Sequence, residues 1–290
     1  MPYVSSEEAR SDLFLSAAVF LIGPVIVETL LGFVPLQRIP GVTTALRIGL
    51  PLVYTVLVPY LLIRYRKESV RDYLPKGGRQ GFAFGLLLAL PVVAATVLAT
   101  LLEQGPIQQA LPVLLVTQPV GGLLLARLLT YWLGIAGLVI YTTVKARDAF
   151  RSDPRTLRDG ALEIARVLGA VAAVVVLLLL LVVPRSSIPG LLLWPLGVAG
   201  AVAVALARLR GPSPTSRAIL LTPVLLLALS ALTFNVEGFV QGLYVATLLG
   251  GIGLVFGMLQ ESGYSAYGVL GLALALALAT PPGVLTGVLS

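Results

Sequence analysis

Between two long apolar runs, residues 234–242 read FNVEGFVQG and gather Asn235, Glu237 and Gln241. Glu237 and Gln241 are four residues apart, so a helix would carry them on one face. Such a group could line an active site or a transport site, or form the polar end of a packed helix. Two further charges fall inside apolar runs, Glu28 in the first and Arg127 near the start of the fourth. A charge at mid-membrane costs about 2.5 kcal/mol or more, so it tends to pair or to serve function. Pairing of Arg127 with Glu28 or Glu237 would mark a pathway or a polar cavity. The alternative leaves Arg127 and Glu237 hydrated at interfacial depth. Glu28 lies too deep for easy access to water, and a partner is expected for it. Thr117, Gln118, Thr130, Tyr131, Tyr141, Thr142, Thr143, Thr222 and Tyr244 add hydroxyls and an amide.

The chain holds no His and no Cys. That removes thiolate nucleophiles, sulfur ligands and the commonest general base and metal ligand. Carboxylates, Arg, Lys, Tyr, Ser and Thr remain for any chemistry. No metal and no cofactor is expected. Asp148, Asp153 and Asp159 are scattered among Arg residues and make no paired acidic motif for Mg²⁺. The run KGGRQG (76–81) lacks the preceding strand and the Lys-Ser/Thr pair of a phosphate loop.

The elements that would hold these groups follow from composition. Hydrophobic residues make up 58% of the 290, and charged residues only 11%. Soluble domains carry about a quarter charged residues, so the bilayer must be the solvent here. A span needs about 20 apolar residues. Runs of that kind lie near 13–35, 48–64, 81–102, 122–144, 161–183, 188–208, 216–234, 237–259 and 265–287. The segment 108–121 is apolar but broken by Pro112 and Pro119; it is either re-entrant or the start of a long kinked helix. The expected fold is an all-α polytopic transmembrane bundle of about nine spans, within roughly eight to ten. Residues 1–290 would form one integral membrane domain, with the first helix retained rather than cleaved.

Net charge is +7. All Lys and Arg except Arg38, Arg47, Arg127 and Arg185 fall at the amino terminus or in alternate loops. Positive loops mark the cytoplasm, which puts the amino terminus inside and, with about nine spans, the carboxyl terminus outside a cell membrane. The basic loops would meet anionic lipid headgroups, and no nucleic-acid partner is expected. Over 145–160 the sequence reads either as a short helix on the headgroups, capped by Asp153 with Pro154 behind it, or as a solvated loop. Gly238, Gly242, Ala246 and Gly250 recur every four residues, and Gly253 and Gly257 extend the row. Small residues in a row let helices approach closely in lipid.

Two stretches resemble the CAAX-protease and bacteriocin-processing (CPBP) family of intramembrane proteins. In 60–91, YLLIRYRKESVRDYLPKGGRQGFAFGLLLALP, a span, a basic loop and a Gly-led span follow one another. In 253–275, GLVFGMLQESGYSAYGVLGLALA, a Gly-rich helix, a Ser-Gly break and a new apolar run do so. That family cleaves peptides with a Glu-Glu-x-x-x-Arg motif and His-bearing motifs that bind a metal. Here the Glu-Glu pair is Glu7-Glu8, with Arg10 at the wrong spacing, and Glu237 and Gln241 match only in part. The resemblance therefore implies a member without the metal site, and no catalytic residue carries over.

Three functions stay open. The favoured one is a non-catalytic membrane protein, either a CPBP-like pseudoenzyme or a subunit packed against a protein partner. The second is a transporter or permease component with a polar site of Glu28, Arg127 and Glu237. The third is a membrane enzyme on lipid or prenyl substrates.

Overall fold

The computed structural model describes residues 5–31, 42, 49, 52–73, 78–104, 136–150, 156–182, 185, 188–208, 236–262 and 271. Among them the structure is helical and no strand occurs, as expected for an all-α fold. The helices are α1 (Ser6–Leu31), α2 (Val58–Tyr65, continuing a π-helical stretch Val53–Leu57), α3 (Arg79–Gln104), α4 (Ala136–Ala149), α5 (Leu157–Leu180), α6 (Ile188–Arg208) and α7 (Val236–Glu261). Among the described residues, three stretches, Arg79–Ala99, Leu157–Leu180 and Ile188–Arg208, are long and apolar enough to cross a membrane.

The surface agrees with a hydrocarbon solvent. Phe14 is 79% exposed and Leu181 84%, and Leu90, Leu102, Val174, Leu177 and Leu196 also point outward. Exposed apolar area on that scale marks a partner or a membrane. The protein is accordingly read as a helical membrane protein.

Helix ends are set by local chemistry. Glu8 N donates to Ser5 Oγ at 3.2 Å and Ser5 N returns to Glu8 Oε2 at 3.0 Å, a capping box. Thr156 caps α5 by accepting from Asp159 N at 3.3 Å. Within 145–160, Lys145–Ala149 end α4 and Leu157 opens α5; 151–155, with Asp153 and Pro154, lie outside the described residues. Leu157, Ala161 and Ile164 are buried in the bundle core. At the end of α2, Lys67 N donates to Arg64 O and Glu68 N to Ile63 O. This is the doubly bonded helix stop that favours Gly, yet Lys67 occupies it at φ 55°.

Two groups of helices result. The core of one joins Leu88 and Val92 of α3, Leu168 of α5, Val198 of α6 and Phe256 and Met258 of α7. The other joins α1, α2 and α4, through Ala9 and Leu13 against Ala146 and Ala149, and Ile63 and Tyr73 against Tyr141 and Val144. Helix α4 also packs on α7, and its Val139 enters the first core, so it links the two groups.

Close approaches are made by small residues. A Cβ at Gly197 would lie 2.7 Å from Ala95 Cβ and 2.9 Å from Pro91 O, so α6 presses on α3 there. A Cβ at Gly251 would meet Val198 Cγ1 at 2.4 Å. Gly250, Gly253 and Gly257, expected in the packing row, are buried in α7. Gly251, adjacent to that row, makes the tightest contact described on this helix. Gly238, Gly242 and Ala246 belong to α7, but their burial lies outside what is described.

Candidate functional site

Charged side chains from three segments converge at one end of the α1–α2–α4 group. Glu8, Asp12 and Ser16 are spaced by four along α1, so they share a face. Tyr141 and Lys145 are likewise four apart on α4. The turn at Lys67 reverses the chain after α2 and brings Arg66 and Glu68 to the same place.

Lys145 is fully buried, and its Nζ lies 2.9 Å from Asp12 Oδ2 and 2.7 Å from Glu68 Oε1. Asp12 is 1% exposed. Its other oxygen, Oδ1, accepts from Arg66 Nη2 at 2.9 Å and Nε at 3.1 Å. Arg66 Nη1 also reaches Glu8 Oε1 at 3.3 Å. The Tyr73 hydroxyl donates to Glu68 Oε2. The Tyr73 ring stacks on Tyr141 at 5.8 Å, and Lys145 Nζ sits 5.8 Å from the Tyr141 centroid. The Tyr141 hydroxyl faces Ser16, whose own proton goes to the Asp12 carbonyl at 2.6 Å.

The electrostatics are those of mutual support. Hydrogen bonds from the Ser5 backbone and hydroxyl hold Glu8 below the ordinary carboxylate range, and Arg66 adds to this. The bond to Asp12 raises Arg66 further. Burial, then the bond to Glu68, pushes the Tyr73 phenol up. Three carboxylates thus face two cations and a phenol. Taking a charge out of water is expensive, and its partners must offset that. Removing one partner of such a set typically costs about 3–5 kcal/mol, because it strands the other charge. Chemically the cluster is a clasp: Lys145 on α4 holds α1 through Asp12 and the turn after α2 through Glu68.

A smaller group lies near the carboxyl end of α4. Arg147 Nε is 3.7 Å from Asp148 Oδ1. Both act on Glu261 at the end of α7, whose carboxyl burial pushes up, with Arg147 opposing and Asp148 adding.

The expected polar site residues fall outside what the structure describes. Arg127 and Asn235 lie outside the described residues. Glu28 lies in α1 and Glu237 and Gln241 in the first turns of α7, but their side chains are outside what is described. Sequence reasoning passed over Asp12 and Glu68 and counted Arg66 and Lys145 among loop charges. The available signal was the four-residue spacing of Glu8, Asp12 and Ser16 and of Tyr141 and Lys145. Comparison of the chain with protein-family models, characterised proteins and solved structures finds no match.

Proposed function

We propose that this chain is a non-catalytic polytopic membrane protein of the cell membrane, with about nine spans, that packs as a subunit against a protein partner. The observation that carries this reading is the cluster at Lys145. Its described charges are spent on one another, tying α1, α2 and α4 together, and Lys145 and Asp12 are closed to solvent. A charged set so engaged supports architecture rather than turnover.

Helix directions support the span count. Tyr244 of α7 bonds the Leu191 carbonyl of α6, and Gly251 meets Val198, with the same offset in sequence. The two helices therefore run parallel, which fits one further span in the apolar run 216–234 between them, as the sequence reading expects. The start of α1 and the ends of α2, α4 and α7 share one end of the molecule, which fits a cytoplasmic amino terminus and an outside carboxyl terminus. Exposed Arg64, Lys67 and Arg71 at that end would meet anionic headgroups. A CPBP-like pseudoenzyme is one form of this proposal, and it rests on the stretches 60–91 and 253–275 alone.

A second reading is favoured by one observation, the linkage of two helix groups through α4. In a transporter or permease the clasp would be a gate that opens as the groups move. Purification in a mild detergent followed by native mass spectrometry separates the two. A stoichiometric protein subunit is expected. A lone chain carrying a small polar solute would overturn the subunit reading in favour of transport. A chemically altered lipid or prenyl product formed by the purified chain would point instead to an enzyme.

A further inference from the structure

Between α5, α6 and α7 lies a cavity of about 250 Å³, lined by Leu168, Gly169, Ala172, Ala199, Ala203 and Gly251 among others. Its lining is almost wholly apolar. Thr247, a hydroxyl on its wall, spends its proton on the Leu243 carbonyl at 2.7 Å. Water gains nothing from an apolar cavity of this kind. Two of the three lining helices are among those able to cross a membrane, so the medium outside the cavity is hydrocarbon.

Gly169 sharpens this. A glycine inside a helix is unfavourable by about 0.5–1 kcal/mol relative to Ala. Gly197 and Gly251 are explained by helices that leave no room for a Cβ, whereas a Cβ at Gly169 would meet nothing within 4 Å. Helix packing therefore does not demand the glycine, which is exposed at the open side of the cavity, where a side chain would cover it. One turn nearer the charged end of α5 stands Arg166, exposed, with no ion pair among the described residues. An Arg at that depth extends its side chain to headgroup level. An apolar cavity on a helix that carries, one turn away, a guanidinium with no ion pair among the described residues matches the two halves of one molecule, a hydrocarbon chain and a phosphate.

We propose that the α5–α6–α7 cavity seats one acyl chain of an anionic phospholipid, with its phosphate against Arg166. The proposal rests on α5 and α6 spanning the membrane, but not on a protein partner or on the ionic clasp. The test is native mass spectrometry of the full chain from nanodiscs of equal phosphatidylglycerol and phosphatidylcholine. Wild type, Gly169→Leu and Arg166→Gln are compared, and thermal unfolding of each is recorded. Resistance of the chain to alkaline extraction from membranes checks the spanning reading separately. The expected result is one retained phosphatidylglycerol on the wild type. Gly169→Leu, whose Cβ meets nothing within 4 Å, should fold normally and, by covering the cavity, retain roughly tenfold less lipid. Arg166→Gln should abolish the preference for phosphatidylglycerol over phosphatidylcholine. Equal lipid retention in wild type and Gly169→Leu would overturn the proposal. So would a wild-type dimer that Gly169→Leu dissociates, which would assign the cavity to a second copy.

Discussion

Lys145 shows how much one side chain can decide. It reads in the sequence as a loop cation at the end of an apolar run, the commonest place for a positive charge beside a membrane. In the fold it is fully buried between carboxylates of two other segments. Lys145→Met should lower the unfolding free energy by about 3–5 kcal/mol, measured by denaturant titration in detergent. Asp12→Asn added to that variant should cost less than it does alone, because the pair acts as a unit. Glu261 should give the opposite kind of result. Burial raises its folded pKa, so folding favours the neutral acid. Its contribution is fully present below the ordinary glutamate pKa and is lost as pH rises through the raised folded value. Glu261→Gln should remove that part of the pH dependence and stabilise the protein at neutral pH, seen as a flatter plot of melting temperature against pH. None of these roles was legible in residue type. A charge within a few residues of a span end is hydrated by default, and only tertiary folding shows which ends meet.

At the scale of elements, apolar run length was a good guide. The runs near 81–102, 161–183 and 188–208 correspond to α3, α5 and α6, because some 20 apolar residues leave a backbone in lipid no option but to bond within itself. Which glycine faces which helix was less legible, since a spacing of four fixes a face but not the neighbour. Gly250, Gly253 and Gly257 are buried as a packing row requires, yet it is Gly251 that touches α6. The glycines should respond to alanine in a defined order. Gly197→Ala sets a Cβ against the Pro91 backbone and Ala95, and should destabilise by about 1–3 kcal/mol. Gly251→Ala sets a Cβ 2.4 Å from Cγ1 of Val198, a β-branched side chain with one favoured rotamer in a helix, and should lose a similar amount. Gly169→Ala meets nothing and should gain up to about 1 kcal/mol from helix propensity. Melting temperatures of the three variants in one detergent rank them directly. A Gly197→Ala protein as stable as Gly169→Ala would contradict the close α3–α6 packing.

For the whole molecule, the sequence carried the all-helical class and a membrane-compatible composition. Alternation of basic loops predicted that the start of α1 and the ends of α2 and α4 share a side, and Asp12, Arg66 and Lys145 meet there in the fold. The partition into two helix groups was not legible, because it depends on contacts far apart in the chain. The lysines of the chain are Lys67, Lys76 and Lys145. Of the two described, Lys67 is exposed and Lys145 has no solvent access. An amine-reactive reagent should therefore modify Lys67 at once and Lys145 only when α1 and α4 part. With so few primary amines, peptide mapping after timed acylation turns the slow site into a clock for that parting. Its rate should rise when Asp12 or Glu68 is neutralised. A protein partner that grips this end of the bundle should slow it, while the labelling of Lys67 keeps its pace unless the partner covers it.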